Sequence, residues 1–174
     1  MTRENALEEL KIRLSDEHVL RRSMAVEAIM VELAGRYNSD PNIWGLTGLL
    51  HDIDYDKTKN NISLHGLIGA DILDNLNVDE AIVYSVKAHN DLNGIPRKRK
   101  MDKALYLADG VVEAILRYQE DSGTDLTPEE DEQIIHKVKE DAFQVDGKWP
   151  EICKELDLSL EEFIQISLKA IRAS

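Results

Sequence analysis

Apolar residues recur with helical spacing along most of this chain, and no segment sustains the period-two alternation of a half-buried strand. The stretch from about Met101 to Tyr118 is the most strongly apolar and is helical in period. Upstream, Ser15 or Asp16 can cap a helix with apolar positions Val19, Leu20, Met24, Ile29 and Leu33 that ends near Arg36-Tyr37. Asp40-Pro41 reads as an N-cap and a first-turn proline, opening a helix through Trp44, Leu46, Leu49 and Leu50 that reaches His51-Asp52. A polar loop from Asp54 to Asn61 follows, and His65 opens a segment with Leu67, Ile68, Ile72, Leu73 and Leu76. Asn77-Val78-Asp79-Glu80 has the form of a capping box and starts the helix that bears His89, which Asn93-Gly94-Ile95-Pro96 breaks. Asp121 to Asp125 reads as a polar link, Thr127-Pro128 caps a further helix, and Ser159 with Glu162 caps the last. Four prolines and nine glycines leave room for long helices, and 174 residues suit one domain. The expected fold is all-α, a single-domain bundle of roughly seven to nine helices.

The same sequence narrows the function classes. The formal net charge of −13 repels phosphate backbones, so long nucleic acids are disfavoured as partners. A small phosphorylated substrate stays open, because a bound cation reverses the field locally. Cys153 is the only cysteine, which leaves no intrachain disulfide and no thiolate metal cluster; it reads as a small core residue. No apolar signal region begins the chain and no apolar run approaches a membrane span, so a cytoplasmic setting is expected.

Chemistry concentrates on a few residues set in apolar surroundings. Asp109 lies within Ala104-Leu105-Tyr106-Leu107-Ala108-Asp109-Gly110-Val111-Val112. A carboxylate buried there would be costly alone, so it either faces solvent or has a compensating cation. His51-Asp52 ends another apolar run, and by itself could be a surface pair or a helix-terminal histidine. His65 and His89 sit on further apolar helical segments. A bundle can bring such distant positions to one interior point, where imidazole and carboxylate together suit a transition metal.

With His51-Asp52, His65, His89 and Asp109 in this order, the chain resembles the HD-domain metal-dependent phosphohydrolases, in the variant whose motif reads HDI and carries two extra histidines. Gly-Leu-Leu-His-Asp-Ile-Asp at 48–54, His-Gly-x-x-Gly-Ala at 65–70, Ala-His-Asn at 88–90 and Leu-Ala-Asp at 107–109 carry the likeness over about residues 18–118. Residues 127–174 would be a C-terminal helical extension of the same domain. The 48–54 stretch and the tail from Leu158 to Ala170 look like an uncharacterised bacterial hydrolase subgroup.

The resemblance implies that His51, Asp52 and Asp109 hold one ion, with Asp52 bridging to a second held by His65 and His89. Manganese, iron, zinc, cobalt and magnesium are the candidate ions, one or two per chain. The activity implied is hydrolysis of a phosphomonoester or phosphodiester of a nucleotide or other small metabolite by metal-activated water. The alternative is a catalytically impaired module that binds nucleotide or phosphate.

Lys57, in the loop after the doublet, is a candidate phosphate ligand beside the bland reading of a solvated lysine. Asp54 or Asp56 is a candidate general acid. Arg97-Lys98-Arg99-Lys100, the one basic run, either rims the cleft or starts a helix in solvent. His136 reads as a surface histidine.

One departure from the family pattern stands out. The register of Met24-Ala25-Val26-Glu27-Ala28 places Arg22 where the family's first histidine ligand stands. Either His18 reaches in from one turn earlier, or Arg22 points into the cleft as a permanent cation. The second is the favoured expectation: Arg22 would weaken the first ion site and contact substrate phosphate. Asp52, His65 and His89 would remain as the ion site.

Overall fold

The computed structural model describes residues 1–123, 125–145 and 147–174. Among them the chain is all-α, with no strand and nine helices longer than a single turn. The first, α1 (Arg3–Arg13), is followed by α2 (Glu17–Arg36), capped as expected by Asp16, whose side chain accepts from His18 N. Next is α3 (Pro41–Leu50), capped by Asp40. It stops immediately before the doublet: His51 is its C-cap, and Asp52 lies in the turn that follows. The loop expected at 54–61 contains a four-residue helix, α4 (Tyr55–Thr58).

After a 3₁₀ turn at Ile62–Leu64 come α5 (Leu67–Asn75) and α6 (Glu80–His89), whose N-cap Asp79 accepts from Ala81 N. The longest helix is α7 (Lys100–Ser122), which extends beyond the expected Tyr118 and takes in the start of the expected polar link at 121–125. Thr124, within that link, lies outside the described residues. Thr127-Pro128 opens a 3₁₀ turn rather than a helix proper, and this leads into α8 (Asp131–Val145). The fold closes with α9 (Trp149–Glu155) and α10 (Leu160–Ala173), the latter with the full Ser159–Glu162 capping box.

Two apolar clusters form the interior. The larger packs α2, α7, α8 and α10 around Ile29, Leu33, Leu105, Val112, Ile134 and Phe163. The smaller packs α1, α3, α5 and α6 around Leu10, Leu49, Leu50, Ile53, Leu73 and Val86. Each fully buried Leu or Ile contributes about 1.5–3 kcal/mol relative to exposure. Cys153 is fully buried in the larger cluster, and burial pushes its thiol up to about 12, as suits a core residue.

The two clusters are joined by an unusually close crossing of α2 and α3. A Cβ built on Gly48 would lie 2.8 Å from backbone atoms of Val26 and Glu27, so the glycine sets the approach. At this seam the last residues of α3 meet α6 and α7. None of the described helices is long and apolar enough to cross a membrane.

Candidate metal centre

The three histidines are aimed by fixed acceptors. His51 Nδ1 lies 2.7 Å from Gly48 O, and His89 Nδ1 lies 2.6 Å from Val86 O, each a carbonyl three residues earlier. His65 Nδ1 lies 2.8 Å from Asp54 Oδ1. With each Nδ1–H donated to its acceptor, every Nε2 points inward, which is the tautomer a metal ligand needs.

The inward atoms form two groups around a shared carboxylate. Asp52 with His65 and His89 makes one, and His51 with Asp52 and Asp109 makes the other; within each, the donor atoms lie within 4.8 Å of one another. Asp52 Oδ2 is 3.3 Å from His51 Nε2, and Oδ1 is 3.2 Å from His65 Nε2. Although these nitrogens are within ion-pair range, neither buried oxygen accepts a hydrogen bond of sound geometry among the described residues. His65 Nε2 and His89 Nε2 are 3.0 Å apart. Two imidazole lone pairs that close, beside an unbonded buried carboxylate, require a cation between them, whether a proton or a metal ion. The donor set therefore fits a divalent ion of the nitrogen-preferring kind, and these clustered residues could hold one.

The electrostatics agree. Burial alone would lower the His51 pKa, but Asp52 and Asp109 outweigh it and raise it to about 10. Burial likewise opposes Asp52 and Asp54 at His65, which ends raised to about 9. His89, buried beside those two rings, is pushed down to about 4. Burial would raise Asp52, yet His51 and Arg22 hold it well below the usual carboxylate range. In the ion-free chain, protons neutralise this cluster, and an entering metal would displace them.

Arg22 does point into the centre, and His18 does not. His18 Nε2 pairs with Glu120 Oε1 at 2.9 Å on the surface. The Arg22 guanidinium donates to Asp109 Oδ1 through both Nε, at 3.1 Å, and Nη2. Its Nε is 3.7 Å from Asp52 Oδ2, and its Nη1 is 3.5 Å from Glu113 Oε2. Glu113 was not anticipated from the sequence, although its place one turn after Asp109 on α7 is the spacing that would have found it.

The remaining candidates fall elsewhere. Asp54 is buried, and its Oδ2 accepts from Gly66 N at 2.8 Å and Gly69 N at 2.7 Å while Oδ1 faces His65. With every oxygen so engaged, it is placed to hold a histidine and a helix start rather than to protonate a leaving group. Gly66 adopts φ +80, a left-handed turn in which a Cβ would also strike Val86 O at 2.7 Å. Asp56 pairs with Lys59 and accepts from Ser15 N, and Lys57 is exposed; neither lines the cleft.

Three of the four residues of the basic run are held by carboxylates, and none of the run lines the cleft itself. Arg97 pairs with Asp91 and stacks 3.6 Å over the Tyr106 ring, Arg99 pairs with Asp102, and Lys100 pairs with Asp157. His136 is exposed beside Glu140. Asn90 and Asn93 donate to the carbonyl of His65, a support that no sequence spacing signalled.

Above the ligands opens a cleft of about 320 Å³, with Tyr55, Ile62, Tyr106 and Trp149 among its walls and Arg22, Asp52, His65, His89 and Asp109 at its floor. Because Asp54 fixes His65, Asp54→Asn is expected to weaken divalent-ion affinity about 10–100-fold with the fold intact. Titration calorimetry with Mn²⁺ reads this directly, and unchanged affinity would refute the positioning role.

No solved structure matches the chain. Over 106 residues it is 33% identical to the tRNA (cytidine(56)-2′-O)-methyltransferase of Picrophilus torridus, a match that covers 61% of this chain and 30% of that relative. The family model described as HD domain matches residues 19–148, a span that contains Arg22, both donor groups and the whole cleft floor. The chain belongs to the HD domain family.

Proposed function

We propose that the protein is a metal-dependent phosphohydrolase acting on a small phosphorylated metabolite, a nucleotide or a molecule of similar size. The observation that carries this reading is the pair of facing Nε2 atoms 3.0 Å apart beside the unbonded oxygens of Asp52, at the floor of a cleft of ligand size. A divalent ion held there by Asp52, His65 and His89 would supply charge stabilisation for a phosphoryl oxygen and a water acidic enough to attack phosphorus near neutral pH.

The chain's own residues do the rest. Arg22 holds a fixed positive charge at the cleft floor, where negative charge gathers on a phosphoryl group. His51 and His89, anchored to their own helices, keep the floor rigid, and Asp54 keeps His65 in register. Tyr55, Tyr106 and Trp149 offer apolar wall to the organic part of a substrate. The strongly acidic surface favours a small ligand over a long nucleic acid.

A panel of phosphomonoesters and phosphodiesters, assayed with Mn²⁺, Fe²⁺, Co²⁺, Zn²⁺ and Mg²⁺, tests the reading. Product release with at least one ion, abolished by a chelator, is the expected result. Absence of turnover across the panel would refute it.

The presence of Arg22 within one donor group favours a second reading, a module of the same fold that binds phosphate without turnover; in that case ligand binds and nothing is released. The methyltransferase name of the relative lends little, since this chain spans about 30% of it and has no strand among its described residues with which to build a nucleotide-binding sheet.

A further inference from the structure

The two donor groups differ in one respect: one already contains a cation. The Arg22 guanidinium donates twice to Asp109 Oδ1, the same oxygen that lies 3.2 Å from His51 Nε2. It also lies within ion-pair range of Asp52 Oδ2 and of Glu113 Oε2. In the Asp52–His65–His89 group Arg22 reaches only the edge, 3.7 Å from the shared Asp52 Oδ2, while on the other side Asp52 Oδ1 faces His65 Nε2 and His65 Nε2 faces His89 Nε2 with no side-chain cation from Lys or Arg between them among the described residues.

We infer that Arg22 is a built-in substitute for a metal ion in the His51–Asp52–Asp109 group, so that the centre takes one divalent ion, at Asp52, His65 and His89. Asp109 and Glu113 are then the seat of the arginine rather than ligands. This inference rests on the proposed ion site but not on any particular reaction.

Geometry and charge both carry it. Asp109 Oδ1, the oxygen that faces His51, already accepts two guanidinium N–H groups, so that inward oxygen has no lone pair to spare for an ion. A guanidinium cannot lose its proton to make way, as a histidine can. To vacate the group the side chain would have to leave three carboxylates at once, and it is only 18% exposed. Its second role as a phosphate ligand is correspondingly narrowed: the outer face of the fork can meet a substrate oxygen only while the inner face stays on Asp109.

Ion counting distinguishes this arrangement from a two-ion centre. Protein reconstituted with Mn²⁺ and desalted is expected to hold one ion per chain by elemental analysis. His89→Ala should bring the count to zero, whereas Asp109→Asn should leave it at one. Arg22→Ala and Arg22→His should each admit a second ion, the histidine more tightly because it adds a nitrogen. Arg22→Lys keeps the positive charge and should stay at one, a control that does not depend on an uncharged variant folding. Two ions in the unaltered chain, loss of an ion in Asp109→Asn, or a count of one in both Arg22→Ala and Arg22→His would each overturn the inference. One bound ion without hydrolysis would sink the phosphohydrolase reading alone; two bound ions with hydrolysis would sink this inference alone. Uptake of no ion would sink both.

Discussion

Asp52→Asn is expected to remove the bound ion and to lower phosphate release by more than about a thousandfold, given that ion coordination moves the pKa of water from about 15.7 towards about 7. Asp52 is the only residue shared by the two donor groups, and it is fully buried. The amide keeps the shape of the carboxylate but loses its charge. It also turns one acceptor into an N–H donor aimed at a histidine nitrogen or at the cation itself. Folding should survive, because Arg22 keeps its pairs with Asp109 and Glu113, the histidines can release protons, and the amide adds no volume. Elemental analysis, product release and circular dichroism on the same preparation check all three statements. A folded variant that keeps its ion and turns over within tenfold of the parent would show that Asp52 is not the centre's shared ligand.

Gly48→Ala should be among the costlier single methyls the chain could take on. The added Cβ meets Glu27 N, Glu27 Cα and Val26 O, all at 2.8 Å and all backbone, so no side chain can swing aside. The two helices must separate, and overpacking of this kind costs about 1–3 kcal/mol. Near the upper end of that range the melting midpoint falls by roughly 5–10 °C for a domain of this size. Gly48 O also accepts from His51 Nδ1 at 2.7 Å, so the displacement reaches the centre. Ion affinity should therefore fall together with stability. Calorimetric unfolding with and without Mn²⁺ measures both, and a midpoint within a degree of the parent would mean that α2 and α3 can part without cost.

The helices were legible because their signals are local. Asp16, Asp40 and Ser159 act as the caps their spacing announces, whereas α6 is capped by Asp79 alone and not by the capping box read from Asn77 to Glu80; the apolar period of α2 and α7 marks most of the faces that end up buried, with Met24 left exposed. The ends were less legible. The helical period continues through His51-Asp52, but the helix stops at Leu50 because the following turn carries both residues into the seam. α7 runs on past its apolar stretch because polar residues such as Gln119 and Glu120 are good helix formers that leave no apolar trace. The polar loop after the doublet concealed α4, a turn too short to show a period.

For the centre, residue order singled out His51, Asp52, His65, His89 and Asp109, and the register of α2 pointed Arg22 inward, where the fold brings it beside them. The fold also gives Asp54 a structural partner in His65 and two backbone amides, a role that charge and loop position alone could not distinguish from acid catalysis. Lys57 fails to reach the cleft for a geometric reason: it projects into solvent from α4, whereas Tyr55 on the same turn lines the cleft wall. The walls contributed by Trp149 and Tyr106 come from segments far apart in sequence, and only packing unites them.

Asp52 follows α3, His65 precedes α5 and His89 ends α6, helices whose apolar faces pack in the smaller cluster, while Arg22, Asp109 and Glu113 stand on α2 and α7 in the larger one. The two halves are thus fastened by different means. The arginine clamp ties α2 to α7 whether or not metal is supplied. An ion bound as proposed would tie the end of α3 to α5 and α6 only while it is supplied, adding about 2.7 kcal/mol to the resistance of that half against opening at a hundredfold excess over its dissociation constant. Scarcity of metal would then soften one side of the cleft and leave the other rigid, and the chain would convert ion availability into a graded stiffness of its own binding floor.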